Sequence, residues 1–149
     1  MKTYIYKGWI IAVVAMLCSC ESYLINGNLD GLWQVQTIED KQTDEITDCK
    51  GEIYYAFQRD LIQLGYKYPN KPIGHVMHHY ISLFENLGDS LYIEEFHYQY
   101  TDSTGPVNNI STLNKFGIYD RATTFHIEEF SKNSLTLTSD KARITLQKY

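Results

Sequence analysis

The chain is poor in the residues that usually announce chemistry. Its 149 residues hold three cysteines, three prolines and five histidines. No Gly-x-Ser-x-Gly, His-Glu-x-x-His, Cys-x-x-Cys or phosphate-cradling glycine-rich loop occurs, so the common nucleophile, zinc and nucleotide signatures are missing. The acidic pairs Glu94-Glu95 and Glu128-Glu129 are each sequential. Neighbours on a strand point to opposite faces, so neither pair places two carboxylates on one substrate. His75, His78 and His79 crowd the exit of a proline-containing stretch, with His97 and His126 further on, but spacing there does not fix ligand geometry. No enzyme activity, cofactor or metal is therefore expected. Basic clusters are also missing, which argues against nucleic acid as a partner. The longest apolar run, Trp9 to Leu17, is nine residues, against the roughly 20 that a membrane-spanning helix needs.

That short run sits where an export signal would place it. Lys2 and Lys7 precede it, and no acid occurs before Glu21. Leu17-Cys18-Ser19-Cys20 follows and resembles the lipobox of bacterial lipoproteins. The resemblance implies cleavage after Ser19, removal of residues 1–19 and lipid on the Cys20 thiol. The membrane would then be a partner through two or three acyl chains, each buried methylene contributing about 0.8 kcal/mol. Loss of Lys2 and Lys7 leaves 11 basic and 18 acidic side chains, a formal charge of −7 in place of −5. Cys18 is discarded and Cys20 lipidated on this reading, so Cys49 has no partner for an intramolecular disulfide. It reads as a small, partly buried side chain near a strand start.

Residues 20–28 read as a tether, and 29–149 as one domain of short alternating segments. Leu32 to Glu39 sets Trp33, Val35 and Thr37 on one face; Ile53, Tyr55 and Phe57 share another, with Ile62, Leu64 and Tyr66 as a hairpin partner. Polar residues from Asp40 to Lys50 read as a loop, and Lys67 to Val76, with Pro69, Pro72 and Gly74, as a long loop or lid. His79 to Glu85 and Leu91 to Tyr100 read as strands about a Gly88-Asp89 turn. After Gly105-Pro106, Ser111 is a candidate N-cap for a short helical turn ending near Gly117. Thr123 to Phe130, Ser134 to Thr138 and Ala142 to Lys148 complete about eight strands with little helix. Such an all-β, antiparallel chain suits a closed barrel or a β-sandwich.

Asp30-Gly31-Leu32-Trp33 opens the first strand, and Gly-x-Trp there resembles the signature of the lipocalin-like (calycin) barrels. The wider layout, including Leu113 to Ile118 and the ending Arg143 to Tyr149, is similar to small lipocalin-like lipoproteins of the Bacteroidetes. The resemblance implies an eight-stranded barrel in which Trp33 plugs one end and a basic residue of the last strand, here Arg143, covers the indole. A guanidinium over an indole gains about 0.5 to 2 kcal/mol. It further implies the cell envelope, the outer membrane in particular, with the leaflet left open. The chain departs from vertebrate lipocalins in having no disulfide pair and no long helix after the barrel.

Tyrosine is abundant: 11 remain after Tyr4 and Tyr6 leave with the signal. Its ring and hydroxyl suit a surface that is partly apolar and partly wet. Tyr55, Tyr80, Tyr92, Phe96, Tyr98 and Tyr100 are the candidate wall of a cup for a small hydrophobic ligand. The same residues serve equally as cross-strand pairs in a filled barrel, whose loops would dock to another envelope protein. Replacing Cys20 by Ala is expected to abolish palmitate incorporation and to move the protein from the membrane pellet to the soluble fraction. Palmitate on the Cys20→Ala chain would overturn the lipobox assignment.

Overall fold

The computed structural model describes residues 25–67, 76–99 and 105–149, without the side chains of 76–79. Cys20, the start of the tether, residues 68–75 of the stretch expected as a loop or lid, His75 and Tyr100 lie outside the described residues, as do the side chains of His78 and His79. Among the described residues no helix is long and apolar enough to cross a membrane.

A short 3-10 turn, η1 (Gly27–Leu29), leads into β1 (Gly31–Asp40), followed by β2 (Glu45–Asp48), β3 (Ile53–Gln58), β4 (Leu61–Lys67) and β5 (Val76–Asn86). β6 (Ser90–Ile93), β7 (His97–Tyr98), a second 3-10 segment η2 (Ile110–Phe116), β8 (Thr123–Phe130), β9 (Ser134–Thr138) and β10 (Ala142–Lys148) complete the chain. Every pairing among the described residues is antiparallel, and β10 returns to β1, so the sheet closes into a barrel. Ten strands occupy eight positions around the wall, because two positions are each built from two short strands. The eight-stranded barrel expected from the alternation is therefore present, and the sandwich is excluded.

The first broken position lies beside β1. Its beginning, Gly31 to Gln34, pairs with β3, and its end, Thr37 to Asp40, pairs with β2. A bulge between Val35 and Thr37 marks the change of partner. An extra residue in one strand reverses which side chains face inward. Trp33, Val35 and Ile38 are consequently buried, whereas Thr37, expected on the inner face, hydrogen-bonds Thr145 on β10. The Asp40–Lys50 stretch also differs from the expected loop, since Glu45–Asp48 is a fully exposed strand.

The second break divides the expected Leu91–Tyr100 strand into β6 and β7. Ser82 on β5 donates its hydroxyl to the carbonyls of Glu94 (2.9 Å) and Glu95 (3.2 Å), holding the chain out of register there. Leu91 and Ile93 face inward before the break and Phe96 faces inward after it. The even-numbered face read from the sequence is thus split, and Tyr92 points outward.

The interior is filled by the protein itself. Segment η2 enters the barrel, and Leu113, Phe116 and Ile118 are buried among Tyr55, Phe57, Ile62, Leu64, Phe125 and Ile144. Asn109 caps the segment, its side chain accepting from the Ser111 amide at 3.2 Å, two residues before the cap expected at Ser111. Gly117 ends it at φ 77°, a conformation that glycine adopts without strain. A methyl group at this glycine would stand 2.7 Å from Ile144 Cδ1. Phe116→Ala is expected to cost about 3–5 kcal/mol, the range for truncating a fully buried Phe. Gly117→Ala should cost more than about 1 kcal/mol, from strain and contact together. Urea midpoints measure both, and midpoints unchanged from the parent would show that η2 does not plug the barrel.

Candidate functional site

The two ends of the barrel differ in construction. At the closed end the first and last strands meet, with Trp33 opposite Lys148. The Trp33 indole N–H donates to the Leu29 carbonyl at 2.7 Å, which ties the η1 segment across the base. Lys148, not Arg143, covers the indole: its Nζ lies 4.5 Å from the ring centroid. That ammonium also donates to the carbonyl of Asn28 at 2.7 Å and to that of Asp30. Carbonyls of the crossing segment are thereby satisfied by the same charge that faces the indole. Burial lowers the Lys148 pKa, and the nearby Asp30 carboxylate partly offsets this. Gly31 belongs to the same arrangement, since its φ is 124° and a Cβ there would stand 3.1 Å from Lys148 Nζ.

Arg143 is a correction. It pairs in register with Glu39 and Thr138, five residues up β10 from Lys148 and towards the opposite end. Its alternation neighbours Ala142 and Ile144 take the inside, so Arg143 projects from the outer wall, where its Nε donates to Glu128 at 2.7 Å. The chemistry expected at the indole is right, but antiparallel closure brings the end of β10, not its start, to Trp33.

At the plugged end, the Tyr55 hydroxyl is wholly buried and donates to the Phe116 carbonyl. Burial pushes this phenol far above its usual pKa, so it is a neutral donor. Phe96 is also buried in the core. Tyr80 and Tyr98 are register partners with ring centroids 5.6 Å apart, and Tyr80 meets Phe116 edge-on at the same separation. Four of the candidate wall residues therefore do converge, but on the plug and its surroundings. Tyr92 is the exception and lies on the outer wall.

A cavity of about 410 Å³ remains between η2 and the wall made by β1 to β4. Ile38, Ile53 and Cys49 provide apolar lining, Tyr66 and Tyr119 aromatic faces, and Asp40, Glu45, Asp48 and Glu52 carboxylates. Lys115 is the lining cation, with its Nζ 4.9 Å from the Tyr66 ring centroid. Asp40 accepts from the Gln42 and Thr43 amides and from the Tyr119 hydroxyl, and these bonds lower its pKa. Tyr119 is pushed up to about 12 by burial and by bonding to Asp40. Cys49 is buried at the step between β2 and β3. Its thiol is pushed up to about 11, first by burial and then by the Glu52 and Asp48 charges, so it is protonated at neutral pH. Sequence reading missed this site because its lining comes from the presumed Asp40–Lys50 loop and from η2. Among the described residues, no group of three His, Cys, Asp or Glu side chains is placed to hold a metal ion.

A closed eight-stranded antiparallel barrel, based on a tryptophan and a last-strand cation, defines a lipocalin-like fold. Residues 15–149 match the family described as the lipocalin-like domain, and the chain belongs to that family. Two solved structures share the fold. A lipocalin-like protein from Bacteroides uniformis has 17% identity and a TM-score of 0.59, with 83% of this chain and 100% of that one covered. An uncharacterized protein from Bacteroides eggerthii has 19% identity and a TM-score of 0.61, with 81% and 99% covered. No curated protein matches the chain.

The base geometry yields a sharp expectation. Trp33→Ala should cost about 3–5 kcal/mol. Its double-mutant cycle with Lys148→Ala should show a coupling of about 0.5–2 kcal/mol, because the two side chains touch. The cycle with Arg143→Ala should be additive within about 0.5 kcal/mol, as distant sites are. Coupling to Arg143 and none to Lys148, in denaturant titrations, would reverse the assignment.

Proposed function

We propose that this is a non-enzymatic, lipid-anchored protein of the bacterial cell envelope that binds a small amphipathic molecule at the η2 end of a filled barrel. The single observation that carries the binding site is the 410 Å³ cavity, which falls in the usual range for small-ligand sites. A central cup is disfavoured because Tyr55, Phe96, Leu113 and Phe116 occupy the interior. The lining gives the ligand its character: an apolar body would lie against Ile38, Ile53 and Tyr66, and an amine would face the four carboxylates. The anchor rests on Leu17-Cys18-Ser19-Cys20, which the family match spans. Membership of a family built on a binding barrel supports the non-enzymatic reading.

The packed interior favours a second reading, in which the protein docks to another envelope component and carries no ligand. Calorimetric titration of the mature chain with phenethylamine and with neutral phenethyl alcohol separates the two. The first reading expects saturable binding, tighter for the amine. Tyr66→Ala should weaken it, and Lys115→Ala should strengthen it by removing the resident cation. No saturable binding of either compound to folded protein would overturn the ligand site and leave the docking role.

A further inference from the structure

Large apolar side chains left in water are unevenly placed on this molecule. Seven are exposed among the described residues, and four of them belong to the closed end: Ile25 (58%), Leu87 (53%), Phe130 (46%) and Tyr149 (63%). Only Ile46, on the β2 strand, lies at the opposite end. The four come from different elements. Leu87 is in the β5–β6 turn, closed by its amide on the Ser90 carbonyl. Phe130 ends β8, with its ring centroid 6.4 Å from that of Trp33. Tyr149 follows β10, its amide donating to Leu32 and its ring edge-on to Tyr54 at 5.6 Å. Ile25 precedes η1, where Asn26 donates to the Arg59 carbonyl of the β3–β4 turn. Exposed apolar residues scattered singly need no explanation, whereas a set gathered around one end does.

Chain length says what lies opposite that end. Ile25 lies five positions after Cys20, with four residues between them. Even fully extended, this stretch reaches about 18 Å. Lipid on Cys20 would therefore hold the closed end close to the bilayer surface, with the η2 end directed away. Aromatic and aliphatic side chains at that depth enter the headgroup region, where tyrosine in particular is favoured. Charge does not drive the contact, because the mature chain is acidic overall and Lys132 and Arg59 at this end are matched by Asp60 and Asp89.

We infer that the closed end of the barrel, through Ile25, Leu87, Phe130 and Tyr149, is a bilayer-docking surface that seats the protein upright on its membrane. The inference rests on lipidation of Cys20, and the experiment reads the two separately. Leu87→Cys, Tyr149→Cys and, at the far end, Gln42→Cys would each be labelled with an environment-sensitive maleimide in mature protein purified from its membrane. The buried Cys49 thiol is protonated and does not compete at neutral pH. All three positions are exposed, and Tyr149→Cys gives up the edge-on ring contact with Tyr54. In vesicles of phosphatidylethanolamine and phosphatidylglycerol, labels at 87 and 149 should shift to the blue and be quenched by spin-labelled lipid. The label at 42 should do neither, and raising the salt concentration should change nothing. Labels at 87 and 149 as wet as the label at 42, on protein that floats with the vesicles, would overturn docking with the anchor intact. Labels shielded from aqueous iodide but not reached by the lipid quencher would assign the face to a second protein and also overturn it. A chain that takes up no palmitate and does not float would remove the anchor and the docking together.

Discussion

Pairing of the first strand with the last is the contact on which the rest of this structure depends. β1 and β10 are joined from Trp33–Lys148 to Asp40–Ala142, and that ladder turns an open sheet into a barrel. It is also the pairing of longest sequence separation, so it incurs the largest loop-closure entropy of any strand contact. The protein concentrates interactions there. One ammonium lies on the indole and satisfies carbonyls of the crossing segment, while the indole N–H satisfies another. Glycine at position 31 leaves the space that this ammonium needs. The indole N–H and the Leu29 carbonyl are buried, and without each other they would lose a partner where water does not replace it.

Once closed, an eight-stranded barrel has an interior that either side chains or one small ligand can fill. Here η2 decides the matter. Leu113, Phe116 and Ile118 enter from a connection between strands, and Tyr55 anchors the plug by its hydroxyl bond to Phe116. The apolar volume that a carrier would reserve for its cargo instead stabilises the fold. The remaining cavity lies at the seam between η2 and the wall, where a broken strand position leaves Cys49 and Glu52 beside Tyr66. The first break, between β2 and β3, is therefore what shapes this cavity.

The two ends that result are chemically opposed. The plugged end gathers carboxylates and phenols, and its pKa shifts follow from hydrogen bonds and partial burial. The closed end carries exposed aliphatic and aromatic groups near the point where the chain leads back to Cys20.

Much of this was legible without coordinates. Alternation placed β1, β3, β4, β8, β9 and β10 close to their observed bounds and β5 three residues short at its start, because a half-buried strand records its inner face in its own residues. Gly31 and Trp33 were readable as the base only through their resemblance to the lipocalin-like Gly-x-Trp signature. Gly117 announced the end of η2 through its backbone freedom. What the sequence could not determine were the points where partners far along the chain compete for one side. Thr37 yields to Ile38 because β1 changes partner from β3 to β2. Tyr92 turns outward because Ser82 captures the carbonyls of Glu94 and Glu95. Lys148 rather than Arg143 meets Trp33 because closure sets the register of strands more than a hundred residues apart. Local pattern determined most strands and the inner faces of their unbroken parts. Only the tertiary structure could decide register, the breaks and the identity of the plug, since each depends on contacts that exist only after the barrel has closed.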